Sequence, residues 1–203
     1  MHPKEVTRLS HALSWLLRHG ANEAGLAMDE AGWARVDDVV AKAKTTRAAL
    51  DVAVRENNKS RLEVRGELIR ACQGHSRAGM PVTLEALEAS WAIDPRDEPV
   101  WHGTSLAAVE PIAREGILPG ERTHVHLAAE TDSKVGKRAG VDVLLRIDPV
   151  RLRADGVGLY RSANGVLLAR QVPPGCITGL RAETRRARDE EARLRALFGH
   201  ALG

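Results

Sequence analysis

Arg18 and His19 stand side by side at the end of a leucine-rich run, a permanent cation next to an imidazole that titrates near neutrality. Such a pair suits the grip of an anion and the handling of a proton. It equally suits plain helix termination, because cations are favourable at the carbonyl end of a helix. Arg70 lies in a strand-like segment with Leu68 and Cys72 on its own face. Its guanidinium there either pairs with a buried carboxylate or holds a phosphate through two parallel hydrogen bonds. Gln73-Gly74-His75-Ser76 follows as a glycine-permitted bend with polar side chains.

The second half carries further signals. His102-Gly103-Thr104-Ser105 reads as a strand end entering a helix, where amides and hydroxyls either face an anionic or carboxamide ligand or simply cap the helix. His124 and His126 flank Val125 on a strand, which sends both imidazoles to one face. A metal would need further carboxylate or thiol ligands that this neighbourhood does not offer, so no metal is expected. Gly136-Lys137-Arg138 reads as a basic turn. Three general signatures fail: there is no Gly-x-x-x-x-Gly-Lys loop, no His-Glu-x-x-His helix, and Gly156-Val157-Gly158 lacks the last glycine of a dinucleotide fingerprint.

These residues need elements to position them, and 203 residues with 43% apolar content are enough for one large or two small folded units. A formal charge of +3 and six aromatics (four Trp, one Tyr, one Phe) announce neither a polybasic surface nor a set of stacking rings. Any contact with nucleic acid must come from placement. Cys72 and Cys176 are too few for a disulfide framework, which fits a reducing cytoplasm. No apolar run approaches the ~20 residues that cross a bilayer, and Ser10, His11 and Ser14 interrupt the opening leucines, so neither a membrane span nor a signal peptide is expected.

Leu9, Leu13, Leu16 and Leu17 recur at helical spacing, with Thr7 as the expected N-cap and Gly20 as the stop. Val36, Val39 and Val40, then Leu50 and Val54 behind Thr45-Thr46, predict two more short helices. Leu62 to Val64 and Leu68 to Gln73, joined at Arg65-Gly66, predict a hairpin. Helices followed by a hairpin are the order of a winged-helix module. The proline-bracketed Asp94-Pro95-Arg96-Asp97-Glu98-Pro99 is the best linker. Beyond it, strand-like runs at 100–102, 124–128, 141–147, 165–169 and 176–180 surround a helix expected to be capped by Ser105. The fold class is α+β. The Arg- and Glu-rich stretch from Arg181 to Leu197 predicts a single solvated terminal helix.

The blocks have a collective likeness. Leu9-Ser10-His11-Ala12-Leu13-Ser14-Trp15-Leu16-Leu17-Arg18-His19, Gly25-Leu26, Gly32-Trp33 and Ile69-Arg70-Ala71-Cys72-Gln73-Gly74-His75-Ser76 are followed by Trp101-His102-Gly103-Thr104 and His124-Val125-His126-Leu127. Val135-Gly136-Lys137-Arg138, Tyr160-Arg161-Ser162-Ala163-Asn164-Gly165-Val166 and Val172-Pro173-Pro174-Gly175 continue the order. Over roughly residues 8 to 180 this resembles the RNA 2'-phosphotransferases.

The resemblance implies an N-terminal winged-helix RNA-binding lobe over 1–94 and an ADP-ribosyltransferase-like, β-rich lobe over 100–181; the linker at 95–99 and the charged helix over 182–203 stand beside it on the composition read above. It implies consumption of NAD as co-substrate, without metal. The 2'-phosphate of an internal, tRNA-like RNA site displaces nicotinamide to give a 2'-phospho-ADP-ribosylated RNA. The ribose 2''-hydroxyl then takes the phosphate, leaving 2'-OH RNA and ADP-ribose 1'',2''-cyclic phosphate. By the family pattern Arg18, His19, Arg70 and Arg138 form the phosphate-handling group, and His102, Gly103, Thr104, His126 and Val166 hold NAD. His75 and Ser76 match substrate-contacting positions. Val166 replaces the glutamate of protein-modifying relatives, which argues against protein ADP-ribosylation. Leu167, Ala128 and Gly20 depart from common family residues without removing a cation. No obligate protein partner and no membrane contact are implied. The competing readings are a two-histidine cyclic phosphodiesterase, a noncatalytic winged-helix RNA binder, and transfer of ADP-ribose to terminal phosphates of nucleic acid.

Overall fold

In a computed structural model, which describes residues 2–56, 60–132 and 140–199, the chain is a mixed α+β protein in two compact units. The first unit comprises the chain up to Ala92 together with two short segments from further on, Glu121–Thr123 and Ser162–Asn164. The second comprises the remainder. No helix among the described residues is long and apolar enough to cross a membrane.

The first helix, α1 (Pro3–Trp15), starts before the leucine pattern does. Its cap is His2 rather than Thr7: the His2 ring accepts the Lys4 amide at 3.3 Å, and the Glu5 carboxylate reaches back to the His2 amide at 3.0 Å. This reciprocal box satisfies two amides that the helix start leaves open, and Pro3 has none to satisfy. Thr7 sits inside the helix and donates its hydroxyl to the Pro3 carbonyl. Gly20 does not stop the helix either. The chain passes through a π-helical turn, Leu16–Gly20, into α2 (Ala21–Ala24) and ends at Gly25 in the left-handed region, φ 61°. Gly20 is demanded by packing, because a Cβ there would lie 2.4 Å from the Trp15 ring.

The expected pair of helices and the hairpin are present. After β1 (Ala34–Arg35) come α3 (Val36–Lys42) and α4 (Arg47–Arg55), the latter capped by Thr46, whose hydroxyl accepts the Ala49 amide. β2 (Leu62–Arg65) and β3 (Leu68–Ala71) pair antiparallel, and β1 adds on the far edge of β3. Leu13, Leu17, Val36, Val39, Leu50 and Ile69 make the centre of this unit's core. α5 (Leu84–Ser90) follows, a helix that the apolar pattern does not announce.

β4 (Ala92–Ile93) stands at the division, and the linker-like segment after it is pinned. Asp94, almost fully buried, accepts from Arg96 and from Arg161, while Asp97 pairs with Arg153. The second unit holds β5 (Val100–Thr104), α6 (Leu106–Glu115), β6 (Val125–Leu127), β7 (Val143–Ile147), α7 (Pro149–Ala154), β8 (Tyr160–Arg161), β9 (Leu167–Ala169) and β10 (Ile177–Ala182). They form two sheets, in the orders β10-β7-β5 and β4-β8-β9-β6, over a core that includes Leu127, Leu145, Ile147 and Leu167.

Two expectations change here. Ser105 occupies the cap position of α6 without capping it, and the Leu106 amide instead finds the Asp142 carboxylate at 3.1 Å. A carboxylate is the stronger acceptor, and Asp142 is held in place by Thr184. Where one solvated helix was expected over 182–203, the described residues form two short helices, α8 (Arg185–Asp189) and α9 (Glu191–Ala196). Their Ala187, Leu194 and the following Phe198 are buried in the second unit's core, since three apolar groups one or two turns apart face inward despite the charged residues between them.

Candidate functional site

The π-helical turn is where the chemistry of the first unit gathers. One extra residue in the turn re-aims the side chains that follow, and it falls on Leu16–Gly20, which contains Arg18 and His19. The bend after β3 then comes back to them. Gly74, with φ 89°, turns the chain so that the Ser76 amide donates to the Arg18 carbonyl at 2.9 Å and the Ser76 hydroxyl bonds His19 Nδ1 at 2.7 Å. His75, between them, is wholly buried against Gly32, where a Cβ would stand 2.8 Å from its Nε2. Gly32 has φ 86°, so both backbone and space require glycine.

A third strand of chain completes the cluster. Glu121–Thr123 lies antiparallel to the bend, with Ser76 and Arg122 opposite each other. The Arg77 amide donates to the Glu121 carbonyl at 2.9 Å and the Thr123 amide to the His75 carbonyl at 3.0 Å, one hydrogen bond on either side of Arg122.

The electrostatics are those of a site built for an anion. Arg18 Nε and Nη2 are buried and have no hydrogen-bond partner. Burial brings the Arg18 guanidinium down to about 10, with the charges of Arg122 and Arg61 adding to the effect. It is still a cation at neutral pH, and leaving its buried donors unmet is costly. His19 is held below its usual 6.5, first by burial and then by Arg18 and Arg122, against an opposing pull from Glu121. A phosphate would meet the open donors and reverse the sign of the local field.

In the second unit, His102 lies on β5 and its Nδ1 is 3.1 Å from the carbonyl of His126 on β6. A carbonyl only accepts, so Nδ1 carries the hydrogen in this contact. Gly103 is required by packing, since a Cβ would come within 2.7 Å of Val141. Thr104 is buried at the strand end, and its carbonyl accepts the Asp142 amide. His126 is half-buried opposite Leu168, whereas Val166 is buried.

Comparison with known proteins meets this geometry. Residues 4–171 match the model of the RNA 2'-phosphotransferase, Tpt1 / KptA family. A probable RNA 2'-phosphotransferase of Agrobacterium fabrum is 40% identical over 184 residues, covering 85% of this chain and 93% of its own. One from Pseudomonas fluorescens is 35% identical over 189 residues, covering 89% and 100%. The chain belongs to the RNA 2'-phosphotransferase family.

In this RNA 2'-phosphotransferase family member, the structure brings Arg18, His19, His75 and Ser76 together in one unit, and His102, Gly103, Thr104 and His126 together in the other. Arg138 lies outside the described residues. Arg70 has a carboxylate partner, as its position in an apolar strand suggested, though a half-buried one: its Nε pairs with Glu63. Its Nη1 donates to the Ala31 carbonyl at 3.1 Å and to Ser90 Oγ at 2.6 Å, and the guanidinium stacks 4.5 Å from the Trp33 ring centre. Cys72, just beyond the end of that strand, is no nucleophile, because burial, with Glu63, pushes its thiol up to about 12. Sequence reasoning missed Arg122 and Arg61. Arg122 sits in a polar loop between α6 and β6 with no motif or periodicity to mark it, and only the fold returns that loop to the first unit.

Proposed function

We propose that the protein is an NAD-dependent RNA 2'-phosphotransferase that moves an internal 2'-phosphate from RNA to ADP-ribose with loss of nicotinamide. The observation that carries this reading is the buried Arg18 guanidinium with open donors beside the His19–Ser76 pair, in a chain of this family. The first unit is read as a winged-helix RNA-binding lobe and the second as an ADP-ribosyltransferase-like lobe.

NAD, when bound, supplies an electrophilic anomeric carbon and nicotinamide as leaving group. The donor set suits it: His102, its ring oriented by the Nδ1 contact with the His126 carbonyl, is a polar group able to meet a ribose hydroxyl. Gly103, Thr104, His126 and Val166 are assigned to the same ligand on the family pattern.

The remaining work belongs to the phosphate end. A phosphate monoester near neutral pH is already a nucleophile, so it needs positioning and charge neutralisation more than a base. Arg18 supplies both through its open Nε and Nη2. His19, its ring held by Ser76, orients the phosphate and handles the proton when the RNA 2'-oxygen leaves. Arg70 and Arg138 are assigned to the charge on the phosphoryl oxygens by the family pattern, Arg70 while keeping its own partners. His75 and Ser76 are assigned to substrate contact by the family pattern.

The test is to incubate the protein with NAD and an oligoribonucleotide bearing one internal 2'-phosphate, and to follow nicotinamide and RNA-bound phosphate together. Equal amounts of each should be released. Phosphate chemistry without nicotinamide would point to a phosphodiesterase, and RNA binding with neither product to a noncatalytic binder.

A further inference from the structure

The turn that leads from β5 into α6 is gripped at both ends by one residue. Asp142, just before β7, donates its amide to the Thr104 carbonyl at 3.0 Å, and its Oδ2 accepts the Leu106 amide at 3.1 Å. Thr104, Ser105 and Leu106 are thereby closed into a ring with Asp142. Val141, the residue before it, lies so close over Gly103 that a Cβ there would be 2.7 Å away. The strand end that carries His102, Gly103 and Thr104 thus has its position set by residues 141 and 142, and not by Ser105 at the cap position.

Asp142 is itself held from the C-terminal side. An aspartate that only starts a helix needs one oxygen for it. Here the other oxygen, Oδ1, accepts the hydroxyl of Thr184 at 3.2 Å, 42 positions further on, which fixes the rotation of the carboxylate. The Asp142 carbonyl also accepts the Glu183 amide at 2.8 Å. Thr184 in turn caps α8, its hydroxyl accepting the Ala187 amide at 3.3 Å. The segment is anchored by the buried Ala187, Leu194 and Phe198 and by Arg195, which donates to the Leu180 carbonyl at 2.8 Å. All of these anchoring residues lie beyond residues 4–171, the span that matches the family. A chain of hydrogen bonds therefore runs from the C-terminal segment, through one carboxylate, to the strand end assigned to NAD. Resting on the reading of the second unit as the NAD-binding one, we infer that Asp142 and Thr184 are positioning residues for NAD: Thr184 orients the Asp142 carboxylate, and Asp142 holds the His102-Gly103-Thr104 strand end in the geometry that meets the dinucleotide.

The experiment measures initial rates of nicotinamide release by the full chain while NAD and 2'-phosphorylated RNA are varied in turn. Asp142→Ala should raise the KM for NAD about tenfold, the scale of one charge-assisted hydrogen bond, with kcat and the KM for RNA within about twofold of the parent. Thr184→Val should raise the KM for NAD about threefold, and Thr184→Ser should restore the parent value because the hydroxyl returns. Since Thr184 works through Asp142, the double variant should be no worse than Asp142→Ala alone. A brace that merely keeps the unit folded would lower the active fraction, hence kcat, and leave both KM values where they were. Should Asp142→Ala fail to fold, Asp142→Asn, which keeps one acceptor oxygen of the two, carries the comparison with a smaller rise in the KM for NAD. An unchanged KM for NAD, an equal rise in both KM values, or additive losses in the double variant overturn the inference, while nicotinamide release by the parent leaves the functional reading standing. A parent that releases no nicotinamide overturns the functional reading first.

Discussion

Two arginines in the same unit, Arg18 and Arg70, have opposite surroundings. Arg70 is 2% exposed and the protein supplies its partners: the Glu63 carboxylate, the Ala31 carbonyl, the Ser90 hydroxyl and the Trp33 ring. Arg18 has two buried nitrogens without a partner and faces further positive charge. One guanidinium is completed by folding, and the other is left with open donors. A buried cation's role is thus read from its partners, more than from its burial.

The strongest way to break this comparison is Arg18→Ala. It should lower turnover of 2'-phosphorylated RNA about 100-fold or more, the scale of removing one charge-stabilising donor, while urea melts show no loss of stability, since folding leaves the Arg18 donors unmet. Loss of stability on the scale of a core defect would make Arg18 a structural residue after all. Arg70→Ala is the mirror experiment. It leaves the Glu63 carboxylate, 19% exposed, without its cation, and a denaturant titration should show a loss of about 3 kcal/mol whatever happens to turnover.

A finer probe is the titration of His19, followed by its ring resonances in NMR. In the free protein it should titrate below 6.5, because burial and the neighbouring cations favour the neutral ring. Arg122→Ala should move it up, and so should bound 2'-phosphorylated RNA. The sign for stability follows: the unfolded chain takes up this proton first, so His19 costs stability as the pH falls through 6.5 toward its folded value.

The smallest effect concerns the second unit, where Asp94 offers the Arg70 pattern in reverse, a buried acid completed by two arginines. Burial pushes its carboxyl up, but hydrogen bonds from Arg96 and Arg161 outweigh this and hold it below 3.8. Its contribution is present above that value and lost as pH falls through the folded one. Asp94→Asn should melt lower than the parent at neutral pH, and the gap should close in acid.

Much of the fold was legible because it rests on local periodicity. The apolar spacing of Val36, Val39 and Leu50 and the turn at Gly66 depend on near neighbours, and the structure has the helices and hairpin they announce. The errors fall where a distant or unexpected group intervenes. Thr7 is a good cap by type, yet His2 and Glu5 form the box earlier in the chain. Ser105 is a good cap by type, yet Asp142 arrives from another element to do the work. The charged tail hides three apolar residues that the core takes up. At the candidate site, the alternatives left open for Arg70 could not be narrowed by counting along the strand, because Glu63 reaches it only through hairpin register.

By itself the sequence determined the α+β class, the family and the residue types able to handle a phosphate, since these depend on composition, ordered motifs and short-range spacing. Only the tertiary structure decided which cation is already satisfied and which is waiting, and that Arg122, 46 positions after Ser76 in the chain, stands opposite it. The reason is that hydrogen-bond satisfaction and charge repulsion act through space over a few ångströms, and chain order carries no measure of that distance.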